Sequence, residues 1–131
     1  PLLGGVGSEA ERTRIRFLLA HPTSLQRNPR MYDDWWGELQ RSQIRWRGVI
    51  GQMAAAGLHS TGFRLGRIRC PTAVVAGEVD QIIPTENARI LAERIRWSKL
   101  FVIKDAGHVF PLEEPMALPL AVDWVRARLA W

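Results

Sequence analysis

A chain of 131 residues with 47% apolar side chains has the material for one ordinary core. Its single cysteine, Cys70, excludes an intrachain disulfide, and no apolar run reaches membrane-spanning length. The formal charge of +5 is unevenly placed: residues 1–70 carry 11 Arg against 5 acidic residues, and residues 71–131 carry 5 Arg and 2 Lys against 8, so the first part holds +6 and the second −1. A basic excess can mark a nucleic-acid or anionic surface. Here Arg12, Arg14, Arg16, Arg41, Arg45 and Arg47 are interleaved with polar and apolar residues and form no block, which describes a solvated helix face. No signal peptide is visible, so the expectation is a cytoplasmic protein with no nucleic-acid and no membrane partner.

Pro1 to Gly7 is Gly-rich and reads as a loop. Ser8-Glu9-Ala10-Glu11 has the form of a capping box ahead of Ile15, Phe17, Leu18 and Leu19, which predicts a helix over Glu9–Ala20 that His21-Pro22 stops. Residues 22–34, with Pro22, Asn28-Pro29 and Asp33-Asp34, read as a connecting loop. Trp36, Leu39 and Trp46 fit one face of a helix from Asp34 to Trp46. Gly48 separates it from a short apolar helix over Val49–Ala56, with Gly57 at C′. Phe63 to Arg69 then leads into the first strand, with Leu65 and Ile68 as apolar anchors, and Cys70 is expected to pack as a small hydrophobe.

Thr72 to Ala76 is an apolar, β-branched run without alternation, entered by Pro71 and closed by Gly77, as in a strand buried on both faces of a parallel sheet. Asp80 follows at once. Ala88, Leu91, Ala92 and Ile95 recur at helical spacing, with Thr85 as N-cap and Glu86 near the positive end of the dipole. Leu100 to Ile103 is a second strand, left through Asp105-Ala106-Gly107-His108. The unit is βαβ with a right-handed crossover. Glu113 and Glu114 read as helix N-terminal acids, and Leu118, Ala121, Val122, Val125 and Leu129 form the stripe of a closing helix that starts late or bends at Pro119.

Asp80 and His108 both stand where strands end, and open α/β sheets carry their chemistry at the carboxyl edge. If the strands are neighbours, the two emerge side by side. A carboxylate beside an imidazole accepts its Nδ1–H, fixes the tautomer and stabilises the imidazolium formed when Nε2 takes a proton, which is two-thirds of a nucleophile–His–acid triad. Two other readings stay open: Asp80 as a cap of the following helix, and Glu78 as the acid.

Gly77-Glu78-Val79-Asp80-Gln81-Ile82-Ile83-Pro84, then Gly107-His108 with Glu113-Glu114-Pro115 downstream, resembles the C-terminal end of the α/β-hydrolase superfamily, specifically from about Leu65 to Val125. The best likeness is to its bacterial esterase, lactonase and C–C hydrolase branch. In that family the acid follows the penultimate core strand and the His follows the last, so the resemblance implies Asp80 as triad acid and His108 as base. Val79 departs from the pattern, since relatives often place another acid there. The implied fold class is α/β, with parallel strands and crossover helices forming the C-terminal part of the core over residues 65–131. Residues 1–64 match a helical cap or lid region and linker. Such a cap shapes the acyl or leaving-group pocket, which Trp35, Trp36, Trp46, Met31 and Met53 would make apolar if they point inward, although aromatics at helical spacing more often form plain core; Arg45 and Arg47 read first as surface residues, with a clamp on a substrate carboxylate as the lesser reading. No metal and no cofactor are implied, and the substrate is a small apolar ester-like molecule.

A nucleophile is missing from this picture. Ser60 has a Gly two residues on, but Leu58 stands where Gly-x-Ser-x-Gly needs its first Gly, and an Ala-rich helical run precedes it instead of a strand. Relatives with an aspartate nucleophile use the same His and acid to open epoxides or displace halide. A complete hydrolase of this kind is roughly twice as long. The sequence therefore predicts a hydrolase of ester, lactone, amide or C–C bonds whose acid and base lie here, completed by an N-terminal half or by self-association. The alternative is a non-catalytic, hydrolase-like module that completes its sheet with another chain, because a bare sheet edge and an uncovered face favour a partner.

Overall fold

The structure, a computed structural model, describes residues 9–41, 46–60 and 62–129. Four helices come first: α1 over Glu9–Leu19, α2 over Pro22–Arg27, α3 over Pro29–Arg41 and α4 over Trp46–Leu58. A 3-10 turn at Leu65–Arg67 leads to β1 (Thr72–Gly77), α5 (Thr85–Arg94), β2 (Ser98–Ile103), the single-turn α6 (Phe110–Glu113) and α7 (Ala117–Leu129).

Helix α1 matches its sequence pattern, although the capping box rests on Ser8 and on the side chain of Glu11, both outside the described residues. The region expected as loop over 22–34 is helical, because its prolines start helices. Pro22 sits in the first turn of α2, where a missing N–H costs nothing, and the His21 side chain caps it by accepting the Thr23 N–H at 3.3 Å. Pro29 opens α3 in the same way, with Asn28 Oδ1 accepting the Met31 N–H at 3.2 Å. Gly48 does not separate two helices and Gly57 is not a cap; both lie inside α4. The expected shared face of Trp36, Leu39 and Trp46 falls on side chains outside the described residues. Tyr32, 1% exposed, fills the space under α1, where the Arg16 guanidinium lies 5.0 Å from its ring and pairs with Asp33. Burial outweighs Arg16 and, with Asp33 nearby, raises the Tyr32 phenol above its ordinary value.

Strands β1 and β2 run parallel in direct register, Thr72 opposite Ser98 and Gly77 opposite Ile103, with α5 as the crossover. Among the described residues the sheet has these two strands. Helices α5 and α7 both pack on them, α7 through Trp124 set edge-on to Phe101 at 6.2 Å. The expectation that β1 is buried on both faces fails within this chain: Val74 and Gly77 are buried and the rest of the strand is half-buried. Thr85 does not cap α5. Pro84 holds that position, and Thr85 Oγ1 donates to the Gly77 carbonyl at 2.6 Å, tying the helix start to the strand end. Cys70 is exposed rather than packed. In α7 the buried line is Ala117 and Ala121, with Leu118, Val122 and Leu129 exposed; Pro119 falls in the first turn, so the helix starts late.

Candidate active site

The register places the carboxyl ends of β1 and β2 at one level, and the two loops that leave them are laced together. Glu78 N–H donates to the Ile103 carbonyl at 2.9 Å and Val79 N–H to the Ala106 carbonyl at 3.0 Å, extending the ladder beyond the sheet. Glu78 Oε2 accepts the Asp105 N–H at 3.2 Å. Such lacing requires bare backbone. A Cβ on Gly77 would collide with the carbonyl oxygens of Gly107 and Ala106, and one on Gly107 would lie 2.7 Å from the Leu19 carbonyl oxygen. The left-handed residue of the second loop is Asp105, at φ 53°, so Gly107 is needed for close approach and not for its own turn.

Asp80 and His108 meet across these loops, His108 Nδ1 standing 2.9 Å from Asp80 Oδ2. The other oxygen of Asp80 accepts the N–H groups of Ile82 at 2.8 Å and Ile83 at 2.9 Å, so the carboxylate is locked before α5 begins. Its side chain is 8% exposed, against 34% for His108. Burial pushes the Asp80 carboxyl up, but the Ile83 N–H, the His108 imidazole and the Ile82 N–H together outweigh it and hold the group below its ordinary value. A carboxylate held ionised is an acceptor only, so the tautomer of a neutral imidazole that satisfies Asp80 is the one with its proton on Nδ1 and its lone pair on Nε2. That arrangement can take a proton at Nε2 and stabilise the resulting imidazolium.

Other expected residues lie elsewhere. Glu78 braces the backbone of the His108 loop and does not hold the imidazole. Asp80 is not the cap of α5, a place Pro84 takes. Ser60 is exposed beyond α4, near Gly62, whose carbonyl oxygen lies 3.4 Å from Arg94 at the end of α5; Asp80 and His108 flank the other end. Trp35 packs on Tyr32, with ring centroids 5.5 Å apart, and Met53 is exposed. Arg47 is exposed, and Arg45 and the side chains of Trp36 and Trp46 lie outside the described residues. Among the described residues no His, Cys, Asp and Glu cluster suits a metal, and no helix is long and apolar enough to cross a membrane.

Glu113 is the residue that sequence reasoning missed. It lies in the single turn of α6, an acid of a first helical turn as expected, and beyond that its carboxylate accepts the Gly107 N–H and the His21 N–H, each at 2.6 Å. No signal in the sequence marks it, because its partners lie 6 and 92 residues away and meet only in the fold.

No protein-family model matches the chain. It is 38% identical over 65 residues to proline iminopeptidase PfmaB of Pestalotiopsis fici, covering 50% of this chain and 22% of that protein. It is 42% identical over 72 residues to the poly(3-hydroxyalkanoate) depolymerase of Ectopseudomonas oleovorans, covering 53% and 25%. A monoacylglycerol lipase of Rattus norvegicus is 28% identical over 78 residues, 59% of this chain and 22% of the lipase. Among solved structures, a thermophilic esterase from Thermogutta terrifontis superposes with a TM-score of 0.72 at 25% identity over 93% of this chain and 45% of the esterase. The chain thus spans under half the length of that esterase, and its matched segments about a quarter or less of the curated relatives. In sequence and in fold it corresponds to the C-terminal part of an α/β-hydrolase.

Proposed function

We propose that this chain supplies the acid, Asp80, and the base, His108, of a nucleophile–His–acid triad in a hydrolase that cleaves ester, lactone, amide or C–C bonds of small apolar substrates. The observation that carries the reading is the 2.9 Å contact between His108 Nδ1 and a carboxylate whose other oxygen is held by two backbone N–H groups. In this mechanism His108 Nε2 deprotonates the nucleophile as it attacks the carbonyl, protonates the leaving group, and then deprotonates the water that releases the acyl group. The relatives support hydrolysis as the reaction type, being named as a peptidase, a depolymerase, a lipase and an esterase.

The proposed organisation assigns residues 1–64 to a cap and linker and residues 65–131 to the second half of the core, with the strands that precede β1 in the sheet supplied by further sequence or another chain. The half-buried β1 and the exposed apolar side chains of α4, Met53 and Leu58 among them, favour such a complement. The same observation favours a second reading, a hydrolase-like module that completes its sheet with another chain and performs no catalysis.

Intact-mass analysis of the natural assembly after treatment with a fluorophosphonate separates the two. Label on a serine outside this chain, lost in His108→Ala, is the expected result. No label and no turnover of activated esters, epoxides or haloalkanes would leave the non-catalytic module.

A further inference from the structure

The backbone on either side of His108 is held by one short segment, the junction between α1 and α2. Val109 N–H donates to the Leu19 carbonyl at 3.0 Å. Gly107 N–H donates to Glu113 Oε2 at 2.6 Å, and Glu113 Oε1 accepts the His21 N–H at 2.6 Å. Ser24, buried on α2, donates from Oγ to the Asp105 carbonyl at 3.3 Å. Gln81, next to Asp80, reaches the Phe17 carbonyl of α1 at 3.4 Å. Ala20, Ala106 and Gly107 are all buried at this contact, so water does not compete strongly for its hydrogen bonds.

We infer that Glu113 is a positioning residue for the base: its carboxylate clamps the His108 loop to the α1–α2 junction and sets where the imidazole stands relative to Asp80. The inference rests on the reading of Asp80 and His108 as acid and base. Both oxygens of Glu113 accept short, charge-assisted hydrogen bonds from backbone donors that have no freedom to turn away. A carboxylate is the one side chain that accepts at both ends; Gln offers one acceptor and turns its NH₂ toward the remaining N–H, which then loses its partner. Movement of residues 19–21 is transmitted to Gly107 through Glu113 and to Val109 directly, so the segment ahead of α2 controls the registry of the base.

The test compares wild type, Glu113→Gln, Glu113→Asp and Asp80→Asn in the complete assembly, with ¹⁵N-histidine labelling to observe the Nδ1–H proton of His108. Glu113→Gln is expected to broaden or abolish that signal and to lower kcat about 100-fold, as a misplacement on the order of 1 Å does, with KM within threefold and a Tm lowered by several degrees as a buried N–H loses its partner. Glu113→Asp, which keeps the charge but has shorter reach, is expected to lose the signal and kcat as well, and it replaces the Gln variant if that one fails to fold. A sharp wild-type signal in both variants with unchanged kcat would overturn the clamp alone. A wild-type protein lacking any Nδ1–H signal that Asp80→Asn removes would overturn the acid–base reading beneath it.

Discussion

Exchanging Asp80 for Asn keeps the shape of the acid and reverses its chemistry toward His108. The amide can present its NH₂ to Nδ1, which forces the proton onto Nε2 and removes the lone pair with which the proposed base would accept a proton. Turnover in the complete assembly is expected to fall by about 10⁴-fold, read as kcat on an activated ester. The same residue shapes the acid limb of stability. Because its carboxyl is held below the ordinary value, the unfolded chain binds more protons than the folded one in the acid range. Asp80 therefore adds stability that is fully present above the unfolded pKa of about 3.9 and is lost as pH falls through the folded value. Melting followed below about pH 5 is expected to show a shallower loss with acid in Asp80→Asn than in wild type. Asp80 and His108 were legible in the sequence because each follows a β-branched run, and a parallel pair brings such ends together. Glu113 was not legible, since its partners, Gly107 and His21, meet only once α1 docks on the loop after β2.

Among the elements, the strand–helix–strand unit was readable because its signals are local: apolar runs of five and four residues, a Pro-Thr start to α5, and a Gly at each loop. The first helices were less so. Pro22 and Pro29 read as breaks in the sequence, yet each begins a helix, a difference decided by the His21 and Asn28 side chains that satisfy the first turns. Burial within α7 was legible only at Ala121; Ala117 escaped the sequence, because these small residues let the helix approach the sheet while Leu118, Val122 and Leu129 stay exposed. Gly77 carries the strictest demand of any element junction. Gly77→Ala would drive a methyl into the carbonyls of Ala106 and Gly107, and is expected to cost about 1–3 kcal/mol in chemical denaturation as the His108 loop is pushed away. A variant as stable as wild type would mean that the two loops are not in contact.

At the scale of the molecule, the two parallel strands among the described residues and an α4 whose Met53 and Leu58 are 71% and 89% exposed leave sheet edge and apolar surface uncovered, which favours the proposed complement. The 14.9 kDa chain alone is expected to sediment above its monomer mass and to become monodisperse only with a polypeptide that completes the sheet; a clean, dye-silent monomer would argue against a complement. Substrate and bond type were not legible, because an acid and a base alone serve many bond types and Ser60, with Leu58 where Gly-x-Ser-x-Gly needs its first Gly, offers no elbow. The most direct test is the turnover of His108→Ala in the complete assembly on a panel of short and medium acyl nitrophenyl esters, with Tm measured beside it. A loss of kcat on the order of 10⁴-fold or more at unchanged Tm is the result that an Asp80-held base requires. Retention of activity within tenfold of wild type would contradict it and remove His108 from the reaction.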